Sequence, residues 1–567
     1  MSAGATIEKA SPARAPDPRP RPLRTELLRW APVAVVALVA LLPLRGLWYA
    51  PGPPMEEGFM LVFPELVAEG KVPNEDFLHL YGPGSLWVLA GAYELLGTTL
   101  QVERLVGYAQ LLGVIFAVFA LARPWGRWVA AGGAVLTAIV IIPPVGLTAL
   151  AWTGGIALAT WAVVAGNAAL VTAATAARRR HALLIASGLL GGAALLYRPD
   201  LILAVGTPAL VVFLGIDRLG RRRLALAFAA GLSPYLVHVA MAGASNAFRG
   251  MFIEPVFDLR EGRRLPLPPS WSSFDGFLQR AGVLIEPPWS LPAPPSPGQL
   301  SIWLLLLVAT NFALVALGIV ALRRDGDRRL LAMALLTTFL LPQALQRPDS
   351  THLAWASCVS IGLMPLAVVE LLRQRQVLSH VWRTVFAVTV PVLLTLALIP
   401  HFTWRSYTDV VSEGFGDRRE VHKIQRGDRI FYYGRADAAR AVRALIPDVE
   451  VAATPGDSLF VGTGDLRKTP LSEAYLYYLF PELEPATRYI EMDPGVANAP
   501  DSGLADEVAS ADIVILSSIR DDWDEPNASR DFGPNEPNEV LDREFCLIGS
   551  YEDGLSGRGL FELFVKC

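Results

Sequence analysis

Charged residues are scarce in this chain: Asp, Glu, Lys and Arg make up 18% of its 567 residues, whereas hydrophobic residues make up 53%. A soluble protein of this size carries about a quarter charged residues. Apolar runs longer than ~18 residues recur along the chain, and a run of that length can cross a bilayer. The low charge content therefore excludes an ordinary soluble protein and predicts a polytopic α-helical membrane protein.

Cysteine is nearly absent, with three residues in the whole chain, which excludes a disulfide framework. Cys358 falls in an apolar run and is expected to be a small core residue. Cys546 and Cys567 fall in two strand-like runs near the C-terminus that would form a hairpin around Gly554 and Gly557. Whether these two cysteines pair depends on whether the tail faces an oxidising compartment, and the sequence leaves this open.

The two signs of charge are unevenly distributed. Residues 1–400 carry 32 Lys and Arg against 22 Asp and Glu, whereas residues 401–567 carry 17 against 31. This asymmetry predicts a basic membrane domain over 29–400 and a separate acidic soluble domain over 401–567. An acidic tail offers no surface for nucleic acid, so no nucleic-acid partner is expected.

About eleven membrane spans are expected from the apolar runs. They are placed at 29–48, 105–122, 128–143, 147–177, 182–196, 200–216, 224–243, 300–322, 329–345, 353–372 and 384–400. The Pro-rich and Arg-rich residues 1–28 are expected to be a disordered cytoplasmic arm.

Basic clusters fall in alternate connections between these spans, for example RRRH at 178–181, RLGRRR at 218–223 and RRDGDRR at 323–329. Basic connections lie on the cytoplasmic side of a membrane. The pattern predicts that the N-terminus is inside and that the loops 49–104 and 244–299 and the domain 401–567 are extracytoplasmic. The expected location is the inner (plasma) membrane.

Three further segments have recognisable patterns. Residues 86–97 are apolar but too short to span, which predicts a helix in the membrane interface. The loop 244–299 is rich in Pro and Trp and is expected to be extended along the membrane surface. The domain 401–567 alternates helix-like and strand-like runs, such as DAARAVRALIP and ADIVILSS, and is predicted to be an α/β domain.

Residues 54–84, PMEEGFMLVFPELVAEGKVPNEDFLHLYGPG, stand out as a polar loop that follows the first span. Two other extracytoplasmic turns share the tripeptide RPD, and the second is followed closely by a histidine. The candidate site residues are Glu56, Glu57, Asp76, His79 and Tyr81 in the loop, Arg198 and Asp200 in the first RPD turn, and Arg347, Asp349 and His352 at the second.

These residue types suit transfer of a group from a lipid phosphate to a hydroxyl. A carboxylate can take the hydroxyl proton as general base, or Glu56 and Asp76 could bind a divalent cation such as Mg²⁺ or Mn²⁺. Arginines hold phosphate through charge-assisted hydrogen bonds and stabilise it as a leaving group. The structural alternatives are a solvated pair of acids, interfacial arginines paired to their own aspartates, and a packed histidine.

The loop opening with paired acids and continuing EGKVPNEDFLHLYGPGSLW resembles the membrane-integral GT-C glycosyltransferases. The resemblance is to the bacterial subgroup related to lipopolysaccharide core glycosyltransferases and protein mannosyltransferases. It implies a polyprenyl-phosphate sugar donor, an envelope glycan or lipid acceptor, and an extracytoplasmic active site. In that family the loop opens with Asp-Glu and the first acid is the base. Here Glu56 stands at that position, so Glu57 and Asp76 stay open as alternative bases.

Two other functions are compatible with the sequence. A transporter or flippase of lipid-linked saccharides would carry ionisable groups near the membrane midplane, whereas the acids here cluster at one face. A catalytically silent, glycan-binding member of the same fold is the other alternative. The leading prediction is a membrane glycosyltransferase.

Overall fold

The computed structural model describes residues 23–281, 291–375, 378–416, 420–554 and 558–567. Within these residues, ten helices are long and apolar enough to cross a membrane. They are Arg29–Leu47, Leu100–Trp125, Arg127–Val145, Ala151–Val171, Ala177–Tyr197, Arg218–Ala242, Pro297–Asp325, Arg329–Gln346, Ser350–Arg375 and His380–Leu398. The protein is therefore a multi-pass α-helical membrane protein, as the sequence predicts.

Each of these ten helices overlaps a predicted span. The eleventh prediction, 200–216, coincides with the shorter apolar segment Pro199–Leu214. The first 22 residues of the predicted disordered arm lie outside the described residues, and the first helix already begins at Leu23.

The first half of the predicted polar loop is a helix, Pro54–Ala68, so that part of the prediction was wrong. Proline in the first turn is pre-organised for a helix, and Glu56 and Glu57 beside it interact favourably with the helix dipole. The apolar residues that follow, including Phe59 and Phe63, are buried. Tertiary burial of this apolar stretch stabilises the helix. A helix, Gly84–Leu96, is present at the predicted position 86–97, and its location in the membrane interface stays a prediction.

The segment 244–299 is partly helical rather than extended, which corrects the sequence prediction. It contains the helices Ala244–Phe248, Leu259–Arg263 and Phe277–Ala281 and the π-helical segment Arg249–Asp258. Residues 244–263 include a single proline, whereas the other prolines follow residue 264, and backbone donors are therefore available where the helices form. Residues 282–290 of this loop lie outside the described residues.

The C-terminal region is an α/β unit built on a five-stranded mixed sheet. Its seven strands are β1 (His422–Arg426), β2 (Arg429–Tyr433), β3 (Ser458–Thr463), β4 (Glu484–Pro485), β5 (Ile513–Ser517), β6 (Phe545–Asp553) and β7 (Gly559–Lys566). The sheet order is β4-β3-β5-β7-β6, with β3 parallel to β4 and β5, and β7 antiparallel to β5 and β6. The antiparallel pair β1-β2, which the sequence did not reveal, forms a separate small sheet.

Helices of the C-terminal region cover this sheet and connect it to the last span. They are Ser406–Phe415, Ala436–Ala452, Tyr475–Leu479, Leu504–Ser510 and Glu536–Glu544. Leu504–Ser510 precedes the buried strand β5, and Ala436–Ala452 packs against β6 and β7. The predicted α/β character of the region is confirmed.

Cys546 and Cys567 form a disulfide across the hairpin β6-β7. The pairing places Cys546 opposite Val565 in the strand register, two residues before Cys567. The predicted hairpin is therefore present, and the turn residues 555–557, which include Gly557, lie outside the described residues. Cys358 is free and buried, as expected for a small core residue.

The C-terminal region packs directly on the helix Pro54–Ala68. Arg429 of β2 donates to the Glu65 carboxylate from both terminal nitrogens, at 2.7 Å for Nη1 and 2.5 Å for Nη2. A Cβ at Gly58 would lie 2.6 Å from the Tyr475 backbone nitrogen, so this glycine permits the close approach of the two segments. The helix that carries the paired acids is thus held between the spans and the C-terminal region.

Candidate active site

The two adjacent acids of the helix Pro54–Ala68 have different surroundings. Glu57 is 1% exposed and accepts from Arg104 through both carboxylate oxygens: Nε to Oε1 and Nη2 to Oε2, each at 2.8 Å. The Glu57 carboxylate lies against Gly52, where a Cβ would meet Oε2 at 1.7 Å. Glycine at 52 therefore leaves the space that this buried ion pair occupies.

Arg104 also donates to three backbone carbonyls in the segment that ends the first span. Nη1 reaches Leu47 O at 3.2 Å and Trp48 O at 2.8 Å, and Nη2 reaches Ala50 O at 2.9 Å. The Arg104 guanidinium thus connects the span Leu100–Trp125 to residues 47–50, at the end of the first span. This network gives Glu57 a structural role, because its lone pairs are already engaged.

Glu56 is half-buried and lines a cavity of about 240 Å³. The cavity also reaches His352 and Trp355 of the helix Ser350–Arg375 and Thr148 after the helix Arg127–Val145. Burial raises the pKa of Glu56, while the positive charges of Arg263, Arg520 and His352 act in the opposite direction. A carboxylate with a raised pKa, facing a cavity, is suited to accept a proton there.

Asp349 and His352 form a hydrogen-bonded pair at the same cavity. Asp349 is fully buried, and its Oδ1 accepts from the backbone nitrogens of Thr351 and His352 at 3.0 Å. His352 Nδ1 lies 3.0 Å from both carboxylate oxygens. Burial raises the pKa of Asp349, but His352 and Arg347 outweigh it and the pKa lies below the usual value. The ionised Asp349 orients His352 and stabilises a positive charge on it.

Arg347 is engaged by protein carboxylates. Its Nε donates to Asp349 Oδ2 at 2.9 Å, and its Nη1 and Nη2 donate to the two oxygens of Glu525 at 2.9 and 2.7 Å. Nη1 also donates to the carbonyl of Arg263 at 2.8 Å. The second RPD turn is therefore a buried connection between the spans and the C-terminal region, and the predicted phosphate contact of Arg347 has to compete with these partners.

Arg198 is paired with Asp200 and stacked between aromatic rings. Its Nε and Nη2 donate to the Asp200 carboxylate at 2.9 and 2.7 Å, and its guanidinium carbon lies 4.1 Å from the Tyr81 ring centre and 4.5 Å from that of Trp152. Gln343, which precedes the second RPD turn, donates to Asp200 Oδ2 at 3.0 Å. The two RPD turns therefore lie close together, and Tyr81 contacts the first of them.

His79 is a buried histidine packed among aromatic rings. Its ring lies edge-on to Phe63 and Tyr81, and neither ring nitrogen has a hydrogen-bond partner within the described part of the chain. Burial lowers the pKa of His79 to about 3, so the ring is neutral. These surroundings favour the packing role over the predicted phosphate contact.

Asp76 lies in a turn at the surface. Its exposed carboxylate accepts from the backbone nitrogen of Val72 at 2.6 Å and so closes the turn between Val72 and Asp76. This hydrogen bond is local, and Asp76 is not among the described residues that line the Glu56 cavity. A role for Asp76 as the base stays a prediction.

Four residues near Glu56 escaped the sequence analysis: Arg263, Glu491, Asp493 and Arg520. Arg263 pairs with Asp493; the Asp493 side chain is buried, and that of Arg263 is 14% exposed. Burial and the neighbouring Asp493 raise the pKa of Glu491 well above its ordinary value, and Arg263 opposes this. The signal in the sequence is the motif EMDPG at 491–495, in which Met492 has a positive φ of 56°. Such a conformation is uncommon for a residue other than glycine and marks a constrained turn.

The donor set does not fit a metal centre in the described part of the chain. No group of three or more His, Cys, Asp or Glu side chains there forms a metal-binding cluster. Glu56 and Asp76, the two acids considered for Mg²⁺ or Mn²⁺, make separate contacts.

No protein-family profile and no curated protein sequence matches this chain. Among solved structures, it is similar to ArnT from Cupriavidus metallidurans bound to undecaprenyl phosphate, with 14% sequence identity and a TM-score of 0.50 over 96% of this chain and 98% of that one. It is also similar to the apo oligosaccharyltransferase of Archaeoglobus fulgidus, with 11% identity and a TM-score of 0.51 over 94% of this chain and 81% of that one. The chain has the GT-C fold. This confirms the fold class that the first-loop acids and the apolar spans predict.

In this GT-C fold, the helix Pro54–Ala68 comes directly after the first span and carries Glu56 at its first turn. Side chains from three other segments act on Glu56: His352 after the second RPD turn, Arg263, and Arg520 of the C-terminal region, where Glu491 also lies. The site thus combines the membrane helices with the C-terminal region.

Proposed function

We propose that this protein is a glycosyltransferase that moves a sugar from a polyprenyl-phosphate donor to a hydroxyl of an envelope glycan or lipid. The observation that carries the proposal is the Glu56 carboxylate, which lines a cavity together with His352 and whose pKa is lowered by the positive charges of Arg263 and Arg520 against the effect of burial. A base next to a cluster of cations is the arrangement that transfer from an anionic donor requires.

A polyprenyl-phosphate donor is supported by the fold and by the charges. ArnT, which has the same fold, is bound to undecaprenyl phosphate. In this chain, the arginines near Glu56 supply the positive charge that a phosphate needs, and the apolar spans supply a surface for the prenyl chain. Arg520 is the preferred phosphate partner, because Arg347 is already engaged by Glu525 and Arg263 by Asp493.

In the proposed reaction, Glu56 takes the proton of the acceptor hydroxyl while that oxygen attacks the anomeric carbon of the sugar. The bond between that carbon and the phosphate oxygen breaks, and the electron pair leaves with the polyprenyl phosphate. Arg520 and Arg263 stabilise the negative charge that develops on the leaving group. Asp349 holds His352 in position through its Nδ1.

The site is proposed to lie on the extracytoplasmic side of the plasma membrane. The disulfide Cys546–Cys567 supports this orientation, because disulfides persist in oxidising compartments. The basic connections at the other ends of the spans agree with it.

The test is complementation of a strain from which the gene has been deleted. Envelope glycans and lipids would be compared by mass spectrometry after expression of the wild type, Glu56→Gln, and the exposed control Glu94→Gln. We expect the deletion to remove one sugar from a glycan or lipid, the wild type and the control to restore it, and Glu56→Gln to fail at normal expression. Restoration by Glu56→Gln would refute the assignment of the base.

A further inference from the structure

A second cavity, of about 720 Å³, lies at the opposite end of the spans from Glu56. The helix Ser350–Arg375 connects the two places: Ser350 and His352 line the Glu56 cavity, whereas Arg373 and Gln374 line the second one. A helix of 26 residues is about 39 Å long. A bilayer with its headgroup regions is about 40–45 Å thick. The second cavity therefore lies at the headgroup level of the leaflet opposite the candidate active site.

The cavity is formed where several helices end or begin. Ala151–Val171 and Pro297–Asp325 end there, and Arg329–Thr338 begins there. Gly215, which follows the helix Ile202–Leu214, forms part of the wall. The wall is thus made by the structural framework of the membrane domain.

Positive charge dominates the cavity. Four arginines line it, Arg324, Arg328, Arg329 and Arg373, against two acids, Asp325 and Asp327. Asp327 forms an ion pair with Arg329, in which Arg329 Nη2 lies 2.6 Å from Asp327 Oδ2. Asp325 lies 3.8 Å from both Arg324 and Arg373, which is the outer limit of an ion pair. Arg373 is also paired with Glu370 at 3.2 Å, so the excess positive charge at the cavity comes from Arg324 and Arg328.

Arg328 is the arginine of this cavity that no protein carboxylate engages. Within the described part of the chain it forms no ion pair, and it is only partly exposed. Its side chain passes directly over Gly215, where a Cβ would lie 2.8 Å from Arg328 Cδ. The absence of a side chain at 215 lets Arg328 lie in the wall, with its charge available to a ligand.

One side of the cavity is apolar. Leu170 and Val171, at the end of a membrane span, form this side, and Val171 is 59% exposed. A small soluble anion would contact the arginines and not the apolar side. A lipid would contact both, because its phosphate binds the basic surface and its acyl chains bind the adjacent apolar surface.

We propose that this cavity binds the headgroup of an anionic glycerophospholipid from the bilayer. The phosphodiester contacts Arg328 and Arg324, and the part of an acyl chain nearest the headgroup contacts Leu170 and Val171. Basic pockets between membrane helices bind anionic lipid headgroups in this way. The site is distinct from the proposed donor site because it lies at the other end of the spans.

The test measures lipid binding by native mass spectrometry of the full chain, purified in detergent and delipidated. Phosphatidylglycerol, phosphatidylcholine or inorganic phosphate is added at equal concentration. The variants are Arg328→Gln, Gly215→Ala and the control Arg222→Gln, which removes an exposed charge at the same end of the spans outside this cavity. Gly215→Ala keeps the charge but displaces Arg328, so it tests the geometry even if Arg328→Gln folds poorly.

We expect the wild type and the control to bind phosphatidylglycerol in preference to phosphatidylcholine. Arg328→Gln should bind phosphatidylglycerol about fivefold more weakly, in line with the loss of one interfacial cation, and Gly215→Ala should fall in between. Equal binding of the two lipids by the wild type would overturn the proposal, as would unchanged binding by both cavity variants. Displacement of phosphatidylglycerol by an equal concentration of inorganic phosphate would make this a free-anion site and would overturn the lipid assignment.

Discussion

Arg104 holds Glu57 through two parallel hydrogen bonds of 2.8 Å, while the neighbouring Glu56 faces a cavity. Both acids line this cavity, but the two carboxylate oxygens of Glu57 are occupied by Arg104. Of the paired acids, Glu56 is therefore the better candidate for the base, and Glu57 stabilises the fold.

The two acids should respond differently to the same substitution. Glu56→Gln should reduce sugar transfer by about 10²–10⁴-fold through loss of general-base catalysis, without a change in melting temperature. Glu57→Gln should lower the free energy of unfolding by about 3–5 kcal/mol, because it leaves Arg104 buried without its charge partner. Transfer assays and thermal unfolding of purified protein measure both effects, with Glu94→Gln as the control. A stable Glu57→Gln protein without activity would reverse the two roles.

The acid limb of the pH profile, which is the decline of sugar transfer at low pH, should reflect protonation of Glu56. Burial raises the pKa of this group, and a base must be ionised, so transfer should decline as the pH falls through that raised pKa. Arg520 lowers the pKa of Glu56. Arg520→Gln should therefore move the acid limb to higher pH, whereas Arg222→Gln should leave it in place. A limb that stays fixed, or moves to lower pH, in Arg520→Gln would contradict the proposed role of Glu56.

Arg347→Ala should loosen the attachment of the C-terminal region. The Arg347–Glu525 pair is buried, so removing one partner should cost about 3–5 kcal/mol. Removal of Arg440 from its largely exposed pair with Glu552 should leave the stability almost unchanged, because solvent screens such a pair. Thermal unfolding and limited proteolysis compare the two variants. If Arg347→Ala kept its stability and lost only donor affinity, the phosphate role predicted from the sequence would be supported instead.

Loss of the disulfide should destabilise the hairpin β6-β7. The two cysteines are 21 residues apart, and closing a loop of that size stabilises a fold by about 3 kcal/mol. A Cys546→Ser, Cys567→Ser double variant should melt at a lower temperature than the oxidised wild type and should not respond to a reducing agent. Identical melting of the wild type with and without reductant would show that the bond contributes little.

Surface labelling tests the orientation. Val451 is 89% exposed in the C-terminal region, and Arg222 is exposed at the other end of the spans. In intact cells, a membrane-impermeant maleimide should label Val451→Cys, and it should label Arg222→Cys only after permeabilisation. The native cysteines give little background, since Cys358 is buried and the other two are paired. The opposite labelling pattern would place the candidate site in the cytoplasm.

The sequence by itself determined that this is a membrane protein and where its spans lie along the chain. Runs of apolar residues long enough to cross a bilayer are local features, so ten predicted spans match ten long helices, and 200–216 matches a shorter one. The alternating patterns in the tail likewise predicted β5 and the hairpin β6-β7. The paired acids after the first span pointed to the GT-C fold.

Only the tertiary structure decided what the polar residues do. Whether a carboxylate is a base or half of a buried ion pair depends on partners far away in the chain: Arg104 for Glu57, Glu525 for Arg347, and Asp349 for His352. The helix Pro54–Ala68 was mistaken for a loop because its burial between the spans and β2 leaves no periodic signal. Arg263 and Glu491 were not predicted as site residues for the same reason, because distant contacts and not a local pattern bring them to the site. Such long-range contacts set the local charge and the access of water, and a linear pattern does not encode them.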